Sequence, residues 1–336
     1  PPPPPPPPFT RRRRHTRCSR WSRGLGDVYK RQASPTCDNA AKVAFDLELK
    51  WDAKLIILHV FGVPSRGYSP FVTDARTGED EEPDADYADW VKEEMKNTYG
   101  ELLEDSENSV IEAVVGTPHR EILRMARKEK VDMIIMGAHT RQEDVGATRY
   151  RAIAGSTMQK VAKAARCPVV IISRPCTTCW KLFSNIVIGL DFSKASQYAF
   201  LWAYKLAKEV DARLHIFHAC DIGASNFGEI QGQNEIEQEI AAARKKIETT
   251  YISKMKGYDN YDIEIWEGIP YVEILKFARE KQGDLIVMAH HTRDIDPEQA
   301  QLGSTVEQVV LRAACPVASV NHPDKVADVE GKGRTA

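Results

Sequence analysis

The chain has 336 residues, of which 42% are hydrophobic, and a formal net charge of −2 at pH 7. This length has room for about two domains of roughly 100–200 residues each. The near-neutral charge argues against broad binding to nucleic acids or membrane surfaces. The sequence also contains no run of about 18 apolar residues, the length that a membrane-spanning helix needs. Seven cysteines and the lack of a secretory signal pattern predict a cytoplasmic protein without a disulfide framework.

Residues 1–32 differ in composition from the remainder of the chain. Eight prolines are followed by Arg11–Arg14 and further arginines, a composition that cannot bury enough apolar surface to fold. Residues 22–32 resemble a translated sequencing adapter, so we expect residues 1–32 to be disordered and non-native. The alternatives are a polyproline ligand or a basic nucleic-acid-binding arm.

A repeated set of motifs organises the chain beyond this segment. Gly116-Thr-Pro-His-Arg-Glu121 recurs 152 residues later as Gly268-Ile-Pro-Tyr-Val-Glu273. The matches continue in the same order through Met136 and Met288, His139-Thr140 and His291-Thr292, Gly155-Ser156-Thr157 and Gly303-Ser304-Thr305, and Cys167-Pro-Val and Cys315-Pro-Val. Such self-similarity indicates a duplicated structural unit. We divide the chain into a first copy (33–174), a linker (175–182), a second copy (183–322) and a disordered tail (323–336).

The first copy alternates strand and helix patterns from Thr36 onward, as the second copy does. Its long helix carries Tyr87, Val91, Met95 and Leu102 on one side. The acidic segment before that helix, residues 73–86, is predicted to be a solvated loop. In the linker, Cys176 and Cys179 have the spacing of a redox or zinc half-site, but the sequence offers no second cysteine pair, and two incidental thiols are the alternative.

The second copy alternates strand and helix patterns along its whole length. Strands are predicted at 185–190, 213–218, 261–266, 284–288 and 316–320, and helices at 195–208, 236–247, 273–281 and 304–313. Strands that are separated by helices indicate a parallel sheet with right-handed crossovers and helices on both faces. The predicted fold class is therefore α/β.

The first copy has no counterpart of the strand that ends at Asp191. Asp52-Ala-Lys-Leu55 matches Asp211-Ala-Arg-Leu214 at an offset of 159 residues, so that counterpart would end near Gln32, where the composition changes. We expect the first copy to be poorly assembled unless residues 27–32 occupy the position of this strand.

These ordered motifs resemble the universal stress protein family over residues 33–174 and 183–322. The resemblance rests on the strand that ends in Asp191, the Gly-x-Pro helix starts, the Met-Gly-Ala-His loop at 136–139, and the Gly-Ser-Thr and Cys-Pro-Val motifs. It implies two five-stranded doubly wound parallel sheets of the adenine nucleotide alpha hydrolase-like fold, the first lacking its opening strand. It also implies pairing of the two copies within one chain, with a homodimer as a further assembly.

Nucleotide-binding members of this family carry a Gly-x-x-Gly loop after the fourth strand and a later Gly-Ser/Thr pair at a helix start. Glycines let backbone N–H groups approach phosphates, and a helix N-terminus favours anions. The resemblance implies an ATP or AMP site built in the second copy from Asp191, Ala289, Thr292, Gly303, Ser304 and Thr305, and in the first copy from Gly137, Thr140, Gly155, Ser156 and Thr157. No metal is predicted beyond the Mg²⁺ that accompanies a nucleotide.

Both copies depart from that pattern. Ala289 and Thr292 replace both loop glycines in the second copy, whereas Thr140 replaces the second glycine in the first copy, which also lacks the acidic residue. Alanine fits a glycine position only where φ is negative. The second copy is the expected host of a nucleotide. Alternatively, Gly155 and Gly303 only permit tight helix starts, and Ser156 and Ser304 are ordinary helix caps.

The sequence favours a binding protein over an enzyme. It has no Gly-x-Ser-x-Gly elbow, no Walker lysine and no activated nucleophile pair, which leaves only slow ATP hydrolysis open. His139, His290 and His291 stand beside the loop positions, where they could contact phosphate or pack in the crevice. We predict a stress-response module that binds an adenine nucleotide; the alternative is a nucleotide-free interaction and dimerisation module of the same fold.

Overall fold

The computed structural model describes residues 35–61, 63–64, 70–73, 80–81, 85–138, 156–173, 183–221, 232–289 and 304–320. The first copy contains α1 (Pro35–Trp51), β1 (Leu55–Phe61), β2 (Val63–Pro64), β3 (Pro70–Thr73), β4 (Asp80–Glu81), α2 (Ala85–Glu104), β5 (Ser109–Val115), α3 (Pro118–Lys128), β6 (Ile134–Gly137), α4 (Ser156–Ala164) and β7 (Val169–Ile172). The second copy contains β8 (Asn185–Leu190), α5 (Lys194–Val210), β9 (Arg213–Cys220), α6 (Gln233–Thr250), a 3₁₀ turn (Ile252–Lys254), β10 (Tyr261–Glu267), α7 (Pro270–Glu280), β11 (Leu285–Met288), α8 (Ser304–Arg312) and β12 (Val317–Ser319).

The second copy forms a doubly wound parallel sheet. Its strands run in the order β10-β9-β8-β11-β12, and every neighbouring pair is parallel. The two faces of β8 are covered differently, because Ile186 and Ile188 pack in the cluster that contains α5 and α6, whereas Val187 packs in the cluster that contains α7 and α8. The predicted α/β class and five-stranded sheet are confirmed here.

The two copies are joined through their last strands. β12 pairs antiparallel with β7, with Ala318 opposite Val170, and β7 pairs in parallel with β6. The result is a seven-stranded sheet in the order β10-β9-β8-β11-β12-β7-β6. The helices that precede β7 and β12 also meet, since Gln159 of α4 donates a hydrogen bond of 3.3 Å to Glu307 of α8.

The sheet of the first copy is interrupted. β1 pairs in parallel with β5 in a separate two-stranded sheet, while β6 belongs to the large sheet. Within the described ranges, β1 has β5 as its only strand partner and β6 has β7. A cavity of about 660 Å³ lies between β1 and β6, at the position that β8 fills in the second copy. No described strand lies between β1 and β6, and residues 27–32, which the repeat places there, lie outside the described ranges.

The repeated Gly-x-Pro motif forms the same turn in both copies. Gly116 and Gly268 have φ values of +149° and +131°, and an added Cβ would lie 2.8 Å from Cγ of Glu121 in the first copy and 3.0 Å from Cγ of Glu273 in the second. The glycine is therefore required both by its backbone conformation and by the packed glutamate. The following proline sits in the first turn of α3 or α7, where a missing N–H is harmless.

Some predictions need correction or fall outside the described ranges. The segment 73–86 is not loop throughout, because Asp80–Glu81 forms β4 and pairs antiparallel with β3. Cys167 and Cys315 are buried, and burial raises the pKa of the Cys315 thiol to about 12. The described residues do not include residues 1–32 (and so not 27–32), Cys176, Cys179 or the tail 323–336.

None of the described helices is long and apolar enough to cross a membrane.

Candidate functional site

The site lies at the carboxyl edge of the sheet in the second copy. β8 has β9 on one side and β11 on the other. The strands that follow β8 in the chain therefore extend the sheet first on one side of β8 and then on the other, so β8 lies at the switch point of the strand order. Doubly wound sheets bind ligands in the crevice outside the strand ends at such a switch point. Gly189 is paired with Met288, which brings the residues that follow the two strands, Asp191 and Ala289, close together.

The Asp191 carboxylate is held by a turn that also starts the next helix. Its Oδ1 accepts a hydrogen bond of 2.9 Å from the backbone N–H of Ser193, and its own N–H donates to Oγ of Ser196 at 3.3 Å. The Ser193 hydroxyl caps α5 by accepting from the N–H of Ser196 at 3.0 Å. Asp191 is exposed, so a carboxylate held by this turn is accessible from solvent at this edge of the sheet.

Three further side chains line this turn. Phe192, in the left-handed region with φ 61°, places its ring 4.4 Å from the His218 ring. Nζ of Lys246 lies 4.3 Å from the centroid of the same Phe192 ring. His218 matches His59 of the first copy at the repeat offset, which by itself indicates a structural role. No sequence pattern pointed to Lys246, and the only clue to Phe192 was its position directly after Asp191.

His218 contributes a half-buried imidazole at this edge. Burial lowers its pKa, against the opposing influence of the Leu190 carbonyl and the Asp191 charge. Nδ1 donates a hydrogen bond of 2.7 Å to that carbonyl, so the neutral ring presents Nε2 as an acceptor. The ring therefore fixes the end of β8 immediately before Asp191.

The structure tests how the altered loop positions fit the backbone. Ala289 is half-buried, and neither Ala289 nor Gly137, the buried last residue of β6, has a positive φ. The alanine is thus compatible with the conformation at its position, which removes one objection to the second copy as a host.

The other predicted site residues are only partly described. Ser156 and Ser304 are the first residues of α4 and α8. Thr157 is buried at 5% exposure, whereas Thr305 is half-buried. Thr140, Gly155, Thr292 and Gly303 lie outside the described ranges, as do His139, His290 and His291.

The first copy offers a less complete crevice. At the repeat offset, Gln32 stands at the position equivalent to Asp191, so the first copy has no acidic residue there. Among the described residues of the whole chain, no group of three or more His, Cys, Asp or Glu side chains is arranged to hold a metal ion.

Comparison with known proteins identifies the family. The model of the universal stress protein family matches the chain twice, at residues 32–173 and 182–321. The chain belongs to the universal stress protein family. Both matches together span most of the sequence, and each contains one copy of the repeated motifs.

Individual relatives agree with this assignment. A universal stress protein of Methanocaldococcus jannaschii is 34% identical over 146 residues, which cover 43% of this chain and 85% of that protein. The crystal structure of a universal stress protein from Archaeoglobus fulgidus covers 86% of this chain and 95% of its own, with a TM-score of 0.57 and 20% identity. Because the sequence identity is only 20%, the similarity to the Archaeoglobus fulgidus structure supports the fold alone.

Proposed function

We propose that the second copy binds an adenine nucleotide, ATP or AMP, in the crevice beyond β8 and β11, and that the chain acts as a ligand-holding stress-response protein without dedicated catalysis. The observation that carries the proposal is the exposed carboxylate of Asp191, which a hydrogen-bonded turn holds at the switch point of the sheet.

The chemistry of this edge suits a nucleotide. A fixed carboxylate accepts hydrogen bonds from an adenine amine or a ribose hydroxyl. The Lys246 ammonium, beside Phe192, adds positive charge that favours phosphates. The free backbone N–H groups at the start of α8, which begins at Ser304, are further donors for an anion.

The test is calorimetric titration of ATP and of AMP into the full chain and its Asp191→Asn variant. Asparagine keeps an oxygen that can accept from Ser193, so the turn is preserved while the charge is removed. A hydrogen bond to a charged group contributes about 1.5–3 kcal/mol, and we expect an affinity loss of about ten- to a hundredfold.

The matched control is Asp211→Asn, at the other end of α5. Asp211 is exposed and has φ 56°, a conformation that asparagine tolerates, so affinity should be unchanged. We also expect one nucleotide per chain, because the first copy lacks the carboxylate.

Three outcomes would contradict the proposal or its details. No heat at millimolar nucleotide would favour the nucleotide-free interaction module, whereas equal affinity of the Asp191→Asn variant would show that the nucleotide does not depend on Asp191. Phosphate release that disappears in the variant would indicate an ATPase instead.

A further inference from the structure

The junction between the two copies has a local twofold axis. The matching Gly-Ser-Thr motifs that start at 155 and 303 lie 148 residues apart, which makes Ala318 the counterpart of Val170 and Glu307 the counterpart of Gln159. In both cases the counterparts contact each other, because Ala318 lies opposite Val170 in the antiparallel strand pair and Gln159 donates a hydrogen bond to Glu307. A residue contacts its own counterpart only where it lies on the twofold axis, so the axis passes through these two pairs.

Each pair on the axis joins two different side chains. Val170 and Ala318 are fully buried, at 0% exposure, in the same apolar cluster, so a larger side chain lies opposite a smaller one in a packed interior. Nε2 of Gln159 lies 3.3 Å from Oε1 of Glu307, and both side chains are half-buried. One member of each pair therefore supplies what the other lacks, volume in the first pair and a hydrogen-bond donor in the second.

Pairing of like copies from two different chains would lose both matches. Two second copies would place Glu307 against Glu307 and Ala318 against Ala318, which brings two carboxylates together and leaves a void between the strands. Two first copies would place Val170 against Val170, which overpacks the same space, and would leave Gln159 without a charged acceptor. The junction thus fits the unlike copy better than a like copy.

We propose that the pairs Gln159–Glu307 and Val170–Ala318 determine which copies associate. They direct each first copy to a second copy, and they disfavour dimers of whole chains that form through like copies. The partner of this surface is therefore the unlike copy of the repeat, and the axis residues contribute to that choice in addition to the covalent linker.

Single substitutions in the full chain reproduce the axis of a like pair without requiring a dimer. Gln159→Glu places two carboxylates together on the axis, as two second copies would, and Val170→Ala places two alanines there. The measurement is amide hydrogen exchange of residues 169–172 and 317–319, which form the strands on either side of the axis. We expect exchange to become at least about tenfold faster in each variant, since the strand pair opens more often when the contact across it is lost.

Variants with swapped pairs are the matched controls. One double variant combines Gln159→Glu with Glu307→Gln, and the other combines Val170→Ala with Ala318→Val. Each restores the original match with its members on opposite copies, so exchange should return to within about twofold of the unaltered chain. Gln238→Glu makes the same change of charge at an exposed position of α6 and should leave both strands unaffected.

Cross-linking measures the choice of partner directly. Full chains labelled with light and heavy nitrogen are unfolded, mixed, refolded together and treated with a lysine-specific cross-linker. Lys160 follows Gln159 in α4, so two paired first copies would give a Lys160–Lys160 cross-link that joins the two isotopes. At about millimolar chain, near the effective concentration that a short linker provides, this product should be absent from the unaltered chain. It should appear in the Glu307→Gln, Ala318→Val double variant, whose two copies carry identical axis residues.

Three results would overturn the proposal. One is failure of either swapped pair to restore slow exchange, and a second is a mixed-isotope Lys160–Lys160 cross-link in the unaltered chain. The third is absence of this cross-link from the double variant as well, which would leave the linker as the sole determinant of pairing. Because these measurements concern only the junction, none of them bears on nucleotide binding near Asp191.

Discussion

The two copies carry the same motifs in the same order, yet their sheets differ. In the second copy β8 joins β9 to β11, whereas in the first copy β1 and β6 belong to separate sheets. The Gly-x-Pro turns are nevertheless alike, with Gly116 and Gly268 both at positive φ. The comparison shows that short motifs determine local turns, while one central strand decides whether the units around it form a continuous sheet.

The largest expected difference between the copies concerns equivalent isoleucines. Ile286 of β11 is buried at 1% exposure, whereas its counterpart Ile134 of β6 is half-buried beside the cavity. We expect Ile286→Ala to lower the free energy of unfolding by about 2–5 kcal/mol and Ile134→Ala to lower it by less than half as much, because Ile134 already lacks neighbours on the cavity side.

Urea denaturation, with unfolding of each copy followed by hydrogen exchange, measures both variants. Equal losses for the two substitutions would show that the first copy packs as tightly as the second around this position.

A smaller effect, alike in both copies, is expected at the helix starts. Gly116→Ala and Gly268→Ala each force a side chain into a positive-φ conformation and against the glutamate that follows. Strained backbone of this kind costs about 1–3 kcal/mol, and thermal unfolding of the two variants should show similar destabilisation of the copy that carries the change. Gly100→Ala, where an added Cβ meets nothing within 4 Å, is the control and should cause no loss. A marked difference between Gly116→Ala and Gly268→Ala would mean that the interruption of the first sheet also weakens the local turn.

Much of the fold could be predicted from sequence for a physical reason. β8 was predicted at its observed bounds because a strand buried on both faces reads as a continuous apolar run. The lack of a sequence counterpart to β8 in the first copy was visible, because a strand that fills a fixed place in a duplicated unit leaves a gap in the alignment of the copies. The short β4 was missed, since an acidic composition hides a two-residue pairing with β3.

The candidate site was less predictable. Asp191 was named through the family resemblance, which includes the strand that ends there, whereas Lys246 comes from the second half of a long helix with no local signal. The role of His218 depends on a hydrogen bond to the Leu190 carbonyl, which lies 28 residues away in sequence. Nor could the sequence decide whether Ala289 was tolerated, because that depends on its φ.

The most direct test is a comparison of amide hydrogen exchange along the ligand-free chain. If the second sheet is continuous and the first is interrupted, residues 55–61 and 134–137 should exchange markedly faster than their counterparts, residues 213–220 and 285–288. Equal protection of these two pairs of strands would contradict the difference between the copies.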